Sequence, residues 1–225
     1  MSKYRQEIKI NISPFDRAIL SSRLSSVLPK DKNTGEKGYY QVRSLYFDDL
    51  NDNAVLEKLI GVKVREKYRL RIYDSSTSVI RLEKKVKNNN VGYKESALLT
   101  LNECQSLLKQ EFYFLKNRSE MVCRQLYVKM KTGLFTPKVI VQYNREAYFW
   151  EPGRIRITID SDLQTGLTST DFLNPKVPLT RAAENQTILE IKYNSYLPSH
   201  IANLIRLDSR QRKAISKYVL CRRFA

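Results

Sequence analysis

Arginine and lysine at every second position mark the places where this chain could do chemistry. Between Glu66 and Lys87 the sequence reads EKYRLRIYDSSTSVIRLEKKVK. Lys67, Arg69 and Arg71 alternate with Tyr68, Leu70 and Ile72; Arg81, Glu83, Lys85 and Lys87 stand at every other position, with Ile80, Leu82 and Val86 among those between. The spacing recurs at Arg5, Glu7, Lys9 and Asn11, at Arg154, Arg156, Thr158 and Asp160, and at Glu190 and Lys192. Side chains two apart on a strand share a face. Each segment would therefore carry one apolar face and one cationic face with a carboxylate among the cations. Guanidinium groups offer paired donors that match phosphate oxygens, and lysine adds a point charge. Carboxylates suit Mg²⁺ or Mn²⁺, which prefer oxygen ligands. The combination fits a chain of phosphates with a divalent cation.

The elements that must position these residues follow from the same periodicity. Strands are expected at 5–12, 39–48, 67–73, 79–87, 91–98, 138–149, 154–160 and 188–193, with a turn at Asp74-Ser75-Ser76 joining the central pair. Ser13 with Pro14 opens a helix to about Leu28. A short helix is expected at 54–60. Thr100 and Glu103 form a capping-box signature for a helical region that runs, with a break near Asn117, to Lys131, where Gly133 stops it. Further helices are expected at 198–207 and, strongly basic, at 209–223, while 161–181 reads mainly as loop. An antiparallel sheet with one solvated face would also alternate, but such faces mix in Thr, Ser and Gln, and these are dense in Arg and Lys. Closing the sheet would remove its edges and gather the charged faces into one lumen. So many like charges inside would need an anion to neutralise them.

The 225 residues carry 40 Lys and Arg against 23 Asp and Glu, a net charge of +17, which attracts polyanions. No shift in composition divides the chain, so 1–225 reads as a single domain. Three widely spaced cysteines, Cys104, Cys123 and Cys221, fit buried thiols in a reduced cytoplasmic protein. No stretch approaches the roughly 20 apolar residues that span a bilayer. Neither a G-x-x-x-x-G-K-[ST] loop nor a G-x-G-x-x-G is present; Gly92 reads as a turn glycine. His200 is the sole histidine, which argues against a histidine triad or a histidine-rich zinc site.

Eight segments in this order resemble the VTC domain, the polyphosphate polymerase domain of the triphosphate tunnel superfamily: RQEIKI at 5–10, RSLYFDD at 43–49, KYRLRIY at 67–73, LEKKVK at 82–87, YNREAY at 143–148, IRITID at 155–160, LEIKY at 189–193 and ISKY at 215–218. The resemblance implies an α+β fold: an antiparallel β-barrel with a charged lumen, a triphosphate tunnel, wrapped by helices. It implies transfer of the ATP γ-phosphoryl group onto a growing polyphosphate chain with Mn²⁺ or Mg²⁺. Lys9 then looks like the first-strand phosphate ligand, Arg69 and Arg71 like a central arginine pair, and Lys85 and Lys94 like lysines gripping phosphates. Tyr143 and Arg145 lie in the YNRxAY motif, and Arg156 on the next strand. Glu190 looks like the metal ligand, with Lys192 beside it, and Glu7 is a second carboxylate for the metal. Ser216 and Lys217 belong to the C-terminal helix motif. The resemblance also suggests a membrane channel that accepts the product, and thus a place at the cytoplasmic face of a membrane.

Two positions depart from the superfamily's patterns. Its hydrolases carry E-x-E-x-K on the first strand, where this chain has Arg5, Glu7 and Lys9, one carboxylate having become a cation. Family members can carry a lysine three positions before Lys217, where Ala214 stands here with Lys213 adjacent. Three other readings compete: a tunnel hydrolase of tripolyphosphate or nucleoside triphosphates, a silent module that binds polyphosphate or inositol phosphates, and a nucleic-acid binder. No recognised nucleic-acid motif supports the last. Glu7 and Glu83 have a further structural alternative, simple pairing with neighbouring bases.

Overall fold

The structure, a computed structural model, describes residues 6–89, 91–182, 186–207 and 215–223. Arg5, Asn90, Arg210, Arg212, Lys213 and Ala214 lie outside the described residues. One antiparallel sheet runs β1 (Gln6–Ile12), β9 (Thr187–Tyr193), β7 (Ile155–Thr165), β6 (Thr136–Trp150), β2 (Tyr40–Asp48), β3 (Val64–Tyr73), β4 (Ser76–Asn88) and β5 (Val91–Leu99) in spatial order, with β8 (Thr180–Arg181) pairing β7. The hairpin between β3 and β4 turns on Asp74 and Ser75, both in the left-handed region at φ 49° and 56°, the conformation of a two-residue turn that matches strand twist. The sheet rolls until its two outer strands face each other: β1 and β5 approach within 8 Å between Cα atoms, and Lys85 on β4 donates to Glu7 on β1 at 2.8 Å. Among the described residues no backbone pairing joins β1 to β5, so the expected closure of the barrel is made by side chains rather than by a hydrogen-bonded ladder.

The helices cover the outer, apolar face. Leu70 and Ile72 on β3 and Ile80 and Leu82 on β4 pack under α3 (Leu101–Leu108), a 3-10 turn (Tyr113–Asn117) and α4 (Met121–Gly133), which supply Cys104, Leu107, Leu115, Val122 and Leu126. Ile155, Ile157, Ile159, Leu189 and Ile191 pack with Leu20 and Leu24 of α1 (Pro14–Val27) and Ile201 of α5 (Ser199–Leu204). Both N-terminal signatures form as capping boxes, Ser13 with Asp16 and Thr100 with Glu103. Burying these aliphatic side chains is the main source of stability, roughly 1.5–3 kcal/mol each, and it leaves the alternate positions no choice but the inside.

Several boundaries differ from the sequence reading. Gly133 ends α4 from within, and Leu134 takes the left-handed position at φ 48°. Of the basic helix expected at 209–223, the described residues hold α6 (Lys217–Arg222), with Ser216 as its cap, and 209–214 lie outside the described residues. β7 extends to Thr165, and β8 lies in the segment read as loop. Gly92 sits in β5, not in a turn; a Cβ there would meet the Val86 carbonyl oxygen at 2.9 Å. His200 is exposed, edge-on to Trp150, and all three cysteines are free and buried. Among the described residues no helix is long and apolar enough to cross a membrane.

Candidate active site

The inner face of the rolled sheet gathers charge from seven strands and α6. On one side stands Glu83 of β4, with no exposed surface. Arg69 reaches it at 2.7 Å, Lys94 at 2.6 Å and Arg71 at 3.6 Å. Two strands, β3 and β5, thus fold their cations around one carboxylate of β4, the strand between them. Burial alone would push the Glu83 carboxyl up; Arg69, Arg71 and Lys94 outweigh it and hold the group far below the usual carboxylate range. The arginines also donate to the strands beside them, β2 and β6. Arg69 donates to the Tyr46 hydroxyl at 2.9 Å, and Arg71 to Ser44 at 3.1 Å and to Tyr143 on β6 at 3.4 Å.

The other side carries a chain of pairs. Glu190 on β9 lies 3.0 Å from Lys192, 3.6 Å from Arg145 on β6 and 3.9 Å from Lys9 on β1. Burial opposes ionisation of Glu190, but Lys192 and Lys9 hold its carboxyl well below the usual range. Glu7 stands within hydrogen-bonding reach of Glu190 and pairs with Lys9 at 3.1 Å and Lys85 at 2.8 Å. Arg145 forks onto Asp160 of β7 with two donors, at 2.6 and 2.7 Å. Lys217 of α6 closes on the same carboxylate at 2.6 Å and lies over the Tyr143 ring. Arg156 points to the rim, donating to the Tyr40 hydroxyl at 2.9 Å and to Asp31, on the loop after α1, at 2.6 Å.

The sequence-predicted residues thus face one lumen, with differences among them. Lys9, Arg69, Arg71, Lys85, Tyr143, Arg145, Glu190 and Lys192 all lie within it. Lys94 is half-exposed and spends its charge on Glu83. Ser216 does two jobs: its hydroxyl caps α6 and accepts from Lys67 at 3.1 Å. The pairing of Glu7 and Glu83 with neighbouring bases is what the structure contains. Three groups were missed as site residues. Asp160 was visible in the alternation but read only as part of the pattern. Lys67 opens the central strand, yet only the fold brings α6 to it. Asp31 sat in a polar loop with no periodicity to mark it.

The lysines respond to the lumen in opposite directions. Burial would lower Lys9, but Glu190 and Glu7 push it up. Lys67 is brought down to about 7, by burial first and then by Lys58. Lys85 is brought down to about 8, by burial and by Lys9, although Glu7 pulls the other way. These two are cations that the protein's own carboxylates do not fully compensate, and an anion would complete them. For a metal, the donors are Glu190 and Glu7; among the described residues no set of three or more His, Cys, Asp or Glu side chains is arranged for an ion. Two hard oxygen donors fit Mg²⁺ or Mn²⁺, which are commonly held by one or two carboxylates with substrate phosphates supplying the rest.

Comparison with solved structures finds several of similar course and distant sequence. A candidate adenylate cyclase from Bacillus halodurans shares 12% identity at a TM-score of 0.48, over 90% of this chain and 87% of that one. A Pyrococcus horikoshii protein shares 12% at 0.45, over 89% and 85%. The Mimivirus capping enzyme triphosphatase shares 11% at 0.42, over 91% and 88%. No curated protein matches the sequence. The sequence profile of the VTC domain matches residues 4–225, nearly the whole chain, and the protein belongs to the VTC domain family.

Proposed function

We propose that the protein is a metal-dependent polyphosphate polymerase, transferring the γ-phosphoryl group of ATP to a growing polyphosphate chain inside the lumen. One observation carries the reading: cations from β1, β3, β4, β6 and β9 converge on one interior, and two of them lack full compensation there. Phosphoryl transfer asks little covalent chemistry of a protein; alignment and charge neutralisation supply most of the rate. Arg69 and Arg71 hold equatorial phosphate oxygens from one wall, Arg145 from the other, with Arg156 at the rim. Lys9, Lys85, Lys94 and Lys192 bind flanking phosphates, as do Ser216 and Lys217 from α6. The Tyr143 hydroxyl, between Arg71 and the Arg145 and Lys217 charges, donates to a phosphate oxygen. Glu190, with Glu7, would hold Mn²⁺ or Mg²⁺, which when bound neutralises charge building on the phosphates. The terminal phosphate of the chain, or inorganic phosphate at the start, attacks in line, and the product leaves along the lumen toward a membrane channel partner at the cytoplasmic face.

Incubating the protein with ATP and Mn²⁺ tests the reading, with Arg69→Ala as control. Polymer visible on a gel and absent in the variant is the expected result. Release of phosphate without polymer would make the protein a hydrolase, and binding of tripolyphosphate without turnover would make it a binding module. RNA that readily displaces tripolyphosphate would favour nucleic acid as the ligand.

A further inference from the structure

A cavity of about 320 Å³ lies beside the lumen, between β1, α2 (Asn53–Leu59) and α6. Leu59, Ile215, Val219 and Leu220 give it an apolar wall, and the lysine and arginine at 58 and 223 stand at its edge. Two of its lining residues touch lumen cations. The Ser216 hydroxyl accepts from Lys67, and the Ile215 carbonyl accepts from Lys9 at 3.5 Å. The cavity is thus one residue away from the cations proposed to hold phosphate. Asn11, two positions beyond Lys9 on the same strand, lines it as well, and its Oδ1 is buried with no hydrogen-bond partner.

Resting on the reading above, we infer that this cavity takes the nucleoside of the nucleoside triphosphate whose phosphates lie in the lumen. Its size falls at the lower end of small-molecule sites, about 300–1,000 Å³, which combine apolar walls with a few polar groups. A bare phosphate would gain nothing from four aliphatic side chains, and an acyl chain nothing from Asn11 or from two cations. A base and ribose use both: a flat apolar surface on the aliphatic wall, and polar edges toward Asn11 and Ser216. The triphosphate then leads past Ser216 to Lys67 and Lys9. On this arrangement the cavity, not the lumen, distinguishes ATP from tripolyphosphate.

Calorimetric titration of the wild-type protein with ATP and with tripolyphosphate, beside Leu59→Trp and Asn11→Ala, tests the inference. Leu59 is exposed, so the tryptophan can be built without disturbing the core, and it would fill the cavity. The expected result is an ATP affinity lower by about tenfold in Leu59→Trp and by a few-fold in Asn11→Ala, with tripolyphosphate held within twofold in both. Tripolyphosphate binding doubles as proof that each variant is folded. Equal losses for both ligands, or an unchanged ATP affinity in Leu59→Trp, would overturn the subsite while leaving the lumen reading intact. A wild-type protein that binds neither ligand would overturn both.

Discussion

Two buried carboxylates stand on different strands of the lumen, Glu83 on β4 and Glu190 on β9, and they are built for different ends. Glu83 is alone: Arg69, Arg71 and Lys94 converge on it, and among the described residues no other carboxylate pairs with them. Glu190 is one of a group, with Glu7 in hydrogen-bonding reach and Asp160 beyond Arg145. A solitary carboxylate saturated by three cations is a counter-ion that fixes the arginines in place. A carboxylate with a second one beside it, bridged by lysines that can turn to phosphate, is a place where a divalent cation fits. Depth of burial therefore does not identify the metal ligand, since Glu83 is the deeper of the two; the neighbours do.

The largest effect expected from this contrast is on stability at Glu83. Glu83→Gln removes the charge shared by three cations, and losing one partner of a buried ionic cluster costs about 3–5 kcal/mol. Glu190→Gln should cost clearly less, because Lys9 and Arg145 keep Glu7 and Asp160. Urea unfolding of the two variants measures the difference, and equal losses would abolish the distinction. The pH dependence has a definite sign. A carboxylate held below its usual range contributes stability that is present above the unfolded value, near pH 4.3 for Glu, and lost as pH falls toward the folded one. Glu83→Gln should therefore flatten the loss of stability below pH 4.

On function the order reverses. Glu190→Gln should abolish Mn²⁺-dependent turnover and weaken Mn²⁺ binding to the tripolyphosphate complex by at least about tenfold, read by the paramagnetic effect of Mn²⁺ on water relaxation. A folded Glu83→Gln should retain Mn²⁺ binding while losing turnover as its arginines shift. Retained Mn²⁺ affinity in Glu190→Gln would remove the metal from that wall.

The contrast also explains what the sequence could and could not disclose. Alternation showed which side chains share a face, because strand geometry is local, and it separated Arg69 and Arg71 from Leu70 and Ile72 without any tertiary information. It could not distinguish Glu83 from Glu190, since each appears as one acid among bases and only the roll of the sheet supplies the neighbours. Asp160 is the clearest case. Its alternation with Arg156 was plain, yet its role depends on Lys217, which arrives from α6 far along the chain.

A smaller effect concerns protons. Lys67 at about 7 and Lys85 at about 8 are lowered because burial and neighbouring lysines disfavour the charged form. A lysine lowered in the folded state destabilises the fold below its unfolded value, and more so as pH falls toward the folded one. A phosphate chain reverses this by favouring the cation, so binding near pH 7.5 should take up protons at both. Calorimetry of tripolyphosphate binding in buffers of different ionisation enthalpy gives the number, and Lys67→Met and Lys85→Met should each lower it by a fraction of one proton. Lys94 is tied to Glu83 at 2.6 Å, so Lys94→Met should leave the uptake unchanged. Uptake that persists in both lysine variants would trace the protons elsewhere.

The smallest effect lies at the rim of the Glu190 wall, where Arg156 is held by a carboxylate from outside the barrel. Asp31 accepts from Arg156 at 2.6 Å while its other oxygen accepts from the Asn33 amide at 3.1 Å and side chain at 2.7 Å. Its backbone N–H is tied to the Ala147 carbonyl at 2.8 Å. Asp31 thus stands on a braced loop at the place a phosphate would occupy on Arg156, and the two compete. Because Arg156 keeps about a third of its side chain exposed, water screens the pair and its loss costs little, about 0–1 kcal/mol. Asp31→Asn should therefore leave unfolding nearly unchanged and tighten tripolyphosphate binding a few-fold, most visibly at low salt where the Arg156 charge is least screened. A weaker affinity in Asp31→Asn would mean that Asp31 orients Arg156 for the ligand, and the rim would then resemble the Glu83 wall, where a carboxylate holds the arginines ready.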